Sequence, residues 1–213
     1  METATTKTGG AMARTLEALK GMIASGHLSP GEQIRQEEMA EQLKVSRVPL
    51  REAMNVLADQ GMLQHRPNQG YFVTKRTPAE RAQINRMLHL LENELLTSIA
   101  WPDDATLATL RELNAAMRRD AELPDPWPMI QLNRQFHFAI FSLSPHHLIL
   151  DEVKRLWALV EPLLWLKFEQ REAREQTLRE HESLIAALQA RDIARCTAEM
   201  KQHRYPILLP EAA

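Results

Sequence analysis

The sequence predicts a mostly α protein in two parts: an N-terminal winged helix-turn-helix with a small β-hairpin, then an all-α antiparallel helical bundle. Three observations carry that reading. Between Arg35 and Lys75, a short helical stretch, a turn and a second helical stretch precede two extended runs separated by Pro67-Asn68-Gln69-Gly70. At Thr77-Pro78-Ala79-Glu80, a capping threonine, a proline at the first helical position and a glutamate two residues on open a new helix. Beyond that point apolar residues recur only at helical spacing, interrupted where Pro or capping acids cluster.

In chain order, residues 1–10 lack an apolar pattern and read as a disordered tail. The first domain spans 11–76. Ala11 to Ser25 is a helix with Leu16, Leu19, Met22 and Ile23 on one side, stopped by Gly26. Leu28 to Ile34 is a turn plus a short extended piece, and Arg35 to Leu43 is a second short helix. Ser46 then caps the next helix, and Pro49 sits in its first turn, where a missing N–H costs little. On that helix Leu50, Ala53, Met54 and Leu57 follow at i, i+3, i+4 and i+7, an apolar back. Arg47, Arg51 and Asn55 follow at i, i+4 and i+8 on another face. Two guanidiniums and an amide in one stripe suit a DNA major groove: Arg forks onto guanine, Asn onto adenine, and all three reach phosphate. Leu63 to Arg66 and Tyr71 to Thr74 are the wing strands.

The second domain spans 77–206, with helices expected at 78–100, 103–121, 127–143, 146–168, 172–190 and 192–204. The breaks are Trp101-Pro102-Asp103, Leu123-Pro-Asp-Pro126, Ser144-Pro145 and Arg191-Asp192. Residues 207–213 are a tail. His89 lies in an apolar run and is expected in the core.

Composition narrows the class. At 213 residues the chain accommodates one large domain or two small ones. No apolar run reaches the roughly 18–20 residues that span a bilayer, so no membrane partner is expected. The first ten residues lack the apolar core of a signal peptide. A single cysteine, Cys196, excludes an internal disulfide framework and fits a reducing cytoplasm. The formal net charge is −2, but residues 11–76 hold nine Lys/Arg against seven Asp/Glu. So small a basic excess implies modest nonspecific DNA affinity and a need for dimerisation.

Three of the eight histidines form a geometric set. Asn133 and His137 are at i, i+4 and share a helix face. His181 and His203 stand eleven residues before and after Asp192, where the last two helices turn. At about 1.5 Å per residue, both lie roughly 16 Å from that turn and meet across the helix pair. A third imidazole, from the 127–143 helix, would complete a metal site inside the bundle. Imidazole-rich sites favour Zn or Ni over Mg or Ca. These donors are all neutral, so a carboxylate is needed to offset the ion's charge. Spacing alone fits hydrogen-bonded core histidines equally well. Glu180 and Glu182 flank His181, and helical geometry points both off its face. No glutamate stands in the His-Glu-x-x-His spacing of a general base, which argues against a metal-dependent enzyme.

Glu38 to Met54, Leu57 to Leu63 and Asn68 to Val73 resemble the DNA-binding domain of GntR-family bacterial transcription regulators. Within them Val45-Ser-Arg-Val-Pro-Leu-Arg-Glu-Ala53 is the specific core. The helical part looks like the FCD-type C-terminal domain of the FadR subgroup, and six helices rather than seven favour its VanR-like branch. The resemblance places the residues matching Arg47, Pro49 and Arg51 at DNA and Gly70 at the wing tip. Arg35, Ser46, Asn55, Asn68 and Gln69 complete the expected DNA-binding set. Val48 departs from the family, which commonly has a small hydroxylated residue there; valine suits a thymine methyl instead. Asn133, His137, His181 and His203 match the family's Asp-x-x-x-His…His…His metal motif, with Asn in place of Asp. Subgroup members often hold an effector carboxylate with an arginine on the first bundle helix. Leu88 stands at that place here, which leaves Arg86, Arg134 and Arg174 as candidates.

The resemblance thus implies a repressor, not an enzyme: a homodimer on a near-palindromic double-stranded operator, modulated by a small organic acid bound through a divalent transition metal. A direct metal-responsive regulator is the alternative. A metal-dependent enzyme with an accessory DNA-binding domain is a remote one.

Overall fold

The computed structural model of the chain describes residues 3–204. Its first unit, which ends at Pro78, runs α1 (Thr3–Ala24), β1 (Gln33–Ile34), α2 (Gln36–Gln42), α3 (Arg47–Asp59), β2 (Leu63–Arg66) and β3 (Gly70–Val73). α1 packs on α3, and the fully buried Leu19 anchors it. The expected helix start at Ala11 is corrected, since α1 begins at Thr3. Once one turn has nucleated a helix, each further residue adds one hydrogen bond, so a helix extends readily beyond its first turns. Gly26 ends it with φ +77°, a left-handed conformation that costs glycine little.

α3 shows the apolar back that its period predicts: Leu50, Ala53, Met54 and Leu57 are completely buried. Ser46 occupies the N-cap with extended backbone, but its hydroxyl makes no capping hydrogen bond. The extended piece before α2 is a third strand. β1 pairs antiparallel with β3, giving the order β1-β3-β2. The wing turn between Arg66 and Gly70 needs left-handed backbone at Asn68 (φ +60°) and Gly70 (φ +92°), residue types that tolerate it.

The second unit runs α4 (Pro78–Thr97), α5 (Asp104–Asp120), α6 (Trp127–Phe141), α7 (His147–Phe168), α8 (Arg171–Gln189) and α9 (Ile193–Arg204), six helices among the described residues. Side-chain capping sets several starts. Asp103 accepts from Thr106 N at 2.8 Å, Asp125 from Trp127 N at 2.9 Å, and Asp192 from Arg195 N at 2.9 Å. α5 packs against α6 and α8, α8 against α9, and α7 against α6 and α8. Phe136, Phe141, Phe168, Leu95, Leu110, Met117 and Met129 are fully buried among them. His89 faces outward, contrary to expectation; its turn of α4 presents Arg86, Met87 and Leu90 to solvent while Leu88 and Glu92 face in. No helix among the described residues is long and apolar enough to cross a membrane. The expected tail at 207–213 lies outside the described residues.

Leu50→Ala empties a fully enclosed site on α3 and is expected to cost about 2–5 kcal/mol, read as a lower midpoint in urea titration followed by circular dichroism. Val48→Ala, at a position 60 % exposed, should stay within about 0.5 kcal/mol of wild type. Equal midpoints for the two variants would contradict this packing.

Candidate functional site

Arg47, Arg51 and Asn55 are exposed along one side of α3. Arg47 donates to Glu37 of α2 at 2.6 Å, with both side chains more than two-thirds exposed. Such a pair is worth at most about 1 kcal/mol and exchanges readily for a phosphate or a base edge. Arg51 has no ion-pair or hydrogen-bond partner among the described residues. Arg35, at the N-cap of α2, holds an exposed pair with Glu38 at 3.2 Å. Ser46 is exposed with its hydroxyl uncommitted to the helix end.

Asn55 gains a second role, and Pro49 needs a correction. Asn55 accepts a hydrogen bond from the Tyr71 hydroxyl of β3 on Oδ1. One lone pair of that oxygen is thereby taken, and its second lone pair and the NH2 remain for DNA. The bond also pins the wing to the reading helix. Pro49 is buried, so it shapes the first turn and does not touch DNA with its ring. Its neighbour Val48 is the exposed apolar residue of this turn. At the wing tip Asn68 and Gln69 are exposed and Gly70 is half-buried. Gln33 of β1 donates to the Gln69 carbonyl at 2.6 Å, which steadies the turn. Arg66, which the sequence reading passed over, adds an exposed guanidinium at the wing, stacked 4.2 Å from the Phe72 ring centroid.

The second constellation lies inside the helical unit. α6 carries Asn133 and His137, α8 carries His181 and α9 carries His203. All four are at most 4 % exposed. One ring nitrogen from each histidine lies within 4.8 Å of those of the other two. His137 Nε2 and His203 Nε2 are 3.0 Å apart. His181 lies face to face with Phe136, centroids 3.9 Å apart and planes 6° apart. That stack leaves both nitrogens of His181 at its rim, and neither has a hydrogen-bond partner. His137 Nδ1 and Asn133 Oδ1 are likewise buried and unpartnered. Each unpartnered buried group costs about 1–3 kcal/mol, so four of them in one place mark a site shaped for a ligand. Three imidazole nitrogens and an amide oxygen fit a divalent transition metal. Burial, reinforced by neighbouring positive charge, holds the His137 and His181 pKa values well below the ordinary histidine range. Burial also lowers that of His203, against the opposing pull of Glu180. All three imidazoles are thus neutral at pH 7, the form that binds metal.

Glu180 corrects another expectation. Glu182 does point away, bonding Arg118 at 2.6 Å on the surface. Glu180 is buried instead, and its Oε2 lies 2.7 Å from His203 Nδ1. Burial raises its pKa, but hydrogen bonds from His203 and Gln176 outweigh that and leave it below the usual carboxylate range. Sequence reasoning missed the contact because it tested Glu180 against its neighbour His181 and not across the helix pair. Counted from Asp192, Glu180 stands only one position further out than His203.

Two of the three candidate effector arginines are otherwise engaged. Arg86 is exposed. Arg134 donates to the buried Glu161 at 2.5 Å and lies over Phe138. Arg174 is buried and donates to the carbonyls of Phe168, Ala121 (2.8 Å) and Leu123 (2.7 Å), groups left over at helix ends. A different cation stands near the histidines. Lys167 of α7 is half-buried without an ion-pair partner among the described residues, and its charge helps depress all three imidazoles. Burial lowers its own pKa. The sequence signal was a lone charge inside Leu163-Leu-Trp-Leu-Lys-Phe168. Nearby, Trp157 lies 5.1 Å from His137 between ring centroids and donates to the buried Glu92, which also pairs with Arg204.

Family models match both units of the chain. The family model for bacterial regulatory proteins of the gntR family matches residues 12–73, and that for the FCD domain matches residues 83–205. The HTH-type transcriptional regulator McbR of Escherichia coli (strain K12) is 32 % identical over 200 residues, 89 % of each chain. The Nta operon transcriptional regulator of Aminobacter aminovorans is 28 % identical over 183 residues, 85 % of each. The solved structure of E. coli McbR/YncC superposes with a TM-score of 0.76 at 26 % identity, covering 91 % of this chain and 92 % of that one.

The histidine centre sets a pH dependence for the metal-free protein. Its imidazoles are depressed in the fold, so the unfolded chain binds more protons once pH falls below about 6.5. Stability should be full above that value and fall on acidification, by up to about 1.4 kcal/mol per pH unit for each histidine. Thermal melts of chelator-treated protein between neutral and mildly acid pH check this. A flat profile would mean that these rings are not buried neutral.

Proposed function

The chain belongs to the GntR family of bacterial transcriptional regulators, with an FCD ligand-binding domain as its second part, and from that we propose that a small organic acid bound at the buried histidines controls operator affinity. The observation that carries this reading is the group of unpartnered polar atoms on Asn133, His137 and His181 beside the half-buried Lys167. In this reading His137, His181, His203 and the Asn133 amide hold a divalent ion, Zn or Ni. When bound, the ion supplies a positive charge that attracts carboxylate oxygens. Lys167 offers a second positive point for the acid, while Phe136, Phe141 and Trp157 keep water away from the rings. The FCD domain fits the FadR-like subgroup, and its six described helices suit the VanR-like branch.

The protein works in the cytoplasm as a homodimer on a near-palindromic operator. Each α3 enters a major groove with Arg47 and Arg51, and each wing tip lies along the backbone at Asn68 and Gln69. Occupying the operator represses the genes beside it. The acid changes repression only if it binds the DNA-competent and DNA-incompetent states unequally; a hundredfold change needs a difference of about 2.7 kcal/mol. A second reading, in which the ion itself is the signal, is favoured by one observation: the donor atoms come from three separate helices, α6, α8 and α9, so ion binding alone joins them.

With DNA selected from random duplexes as operator, Arg51→Ala should weaken specific binding about ten- to hundredfold and leave helix content by circular dichroism unchanged. Retained affinity would remove Arg51 from the reading face. His181→Ala combined with His203→Ala should abolish metal content by mass spectrometry while folding persists. Titrating Zn and Ni against operator affinity, with and without organic acids, separates the two readings. Affinity that responds to neither would overturn both.

A further inference from the structure

We propose that Glu180 is a positioning residue for the histidine centre: by accepting the Nδ1–H of His203 it turns the Nε2 lone pair of that ring inward and supplies the negative charge that the neutral donors lack. This inference rests on the metal reading above. The geometry is specific. Glu180 is held at both oxygens, Oε2 by His203 at 2.7 Å and Oε1 by Gln176 Nε2 at 2.8 Å. Both Glu180 and His203 are buried. A carboxylate so tethered stays behind the ring and does not swing forward to replace a donor. With Nδ1 carrying the proton, His203 Nε2 is bare and faces His137 Nε2 at 3.0 Å.

Glu180 is also the only carboxylate that the described residues place in hydrogen-bond contact with these rings. Glu92 and Glu161 are buried in the same unit, but they are committed to Arg204 and Arg134. Neither His137 Nδ1 nor either nitrogen of His181 has a partner of its own. With His203 Nε2 bare, His137 Nε2 is the donor of their 3.0 Å contact, so Glu180 sets the tautomer of His203 and, through it, that of His137 in the apoprotein, while His181 has no such hold. One carboxylate behind a divalent ion leaves the centre net positive, which keeps it attractive to an acid.

The test uses full-length, demetallated protein and isothermal titration with Zn2+ and with Ni2+. Glu180→Ala should weaken uptake about ten- to hundredfold, the range for losing an outer-shell partner of a ligating histidine. Glu180→Gln keeps an acceptor but not the charge and should fall between Ala and wild type. A readout that mere packing would not move is the His203 tautomer, seen in long-range nitrogen–proton NMR of the metal-free protein: one tautomer in wild type, a mixture in Glu180→Ala. Asn133→Asp added to Glu180→Ala should recover affinity, because it returns a negative charge to the site. Wild-type affinity and a single His203 tautomer in Glu180→Ala would overturn the inference and leave the metal reading standing. Failure of wild type to take up either ion would overturn both.

Discussion

Water excluded from three imidazoles is the constraint on which the helical unit turns. Neutral rings at the meeting point of α6, α8 and α9 are tolerable only because the surrounding aromatic side chains pack them closely and one carboxylate anchors one of them. Phe136 lies flat on His181, Trp157 flanks His137, and Glu180 holds His203. The remaining polar atoms stay unpartnered, a cost that the apolar core around Leu110, Met117, Met129 and Phe141 has to offset. On the reading proposed above, stability and ligand binding draw on the same few residues, as sites built into a bundle core commonly require.

The first unit solves a different problem, that of holding a charged helix face outward without letting it wander. The buried row on α3 fixes its rotation, so Arg47 and Arg51 face solvent by default. Tyr71 then ties β3 to Asn55, and Gln33 ties β1 to the wing turn. Both ties use side chains that a reader of DNA could otherwise employ. The arrangement holds the wing in register with the helix beside it.

Much of this was legible before any coordinates. Period alone gave the apolar back of α3, and capping acids gave the starts of α5 and α9 within a residue. The equal distances of His181 and His203 from Asp192 foretold that their rings would meet, and their centroids are 4.8 Å apart. Partner choice was not legible. Arg174 clamps carbonyls contributed by two other segments, Asn55 answers to a strand sixteen residues away, and Glu180 reaches across a helix pair. Local spacing says which face a side chain leaves from, while burial and long-range hydrogen bonding decide where its end finishes.

His203 and Arg204 are consecutive, yet they serve different partners. The first reaches the histidines on α6 and α8; the second seats on Glu92 of α4, the helix that begins where the first unit ends. Successive side chains on a helix diverge by about 100°, so both anchors hold only at one rotation of α9. That short helix works like a two-toothed key: any twist that draws one tooth deeper lifts the other. The position of the His203 ring and the seating of α4 are thereby tied through a single peptide bond.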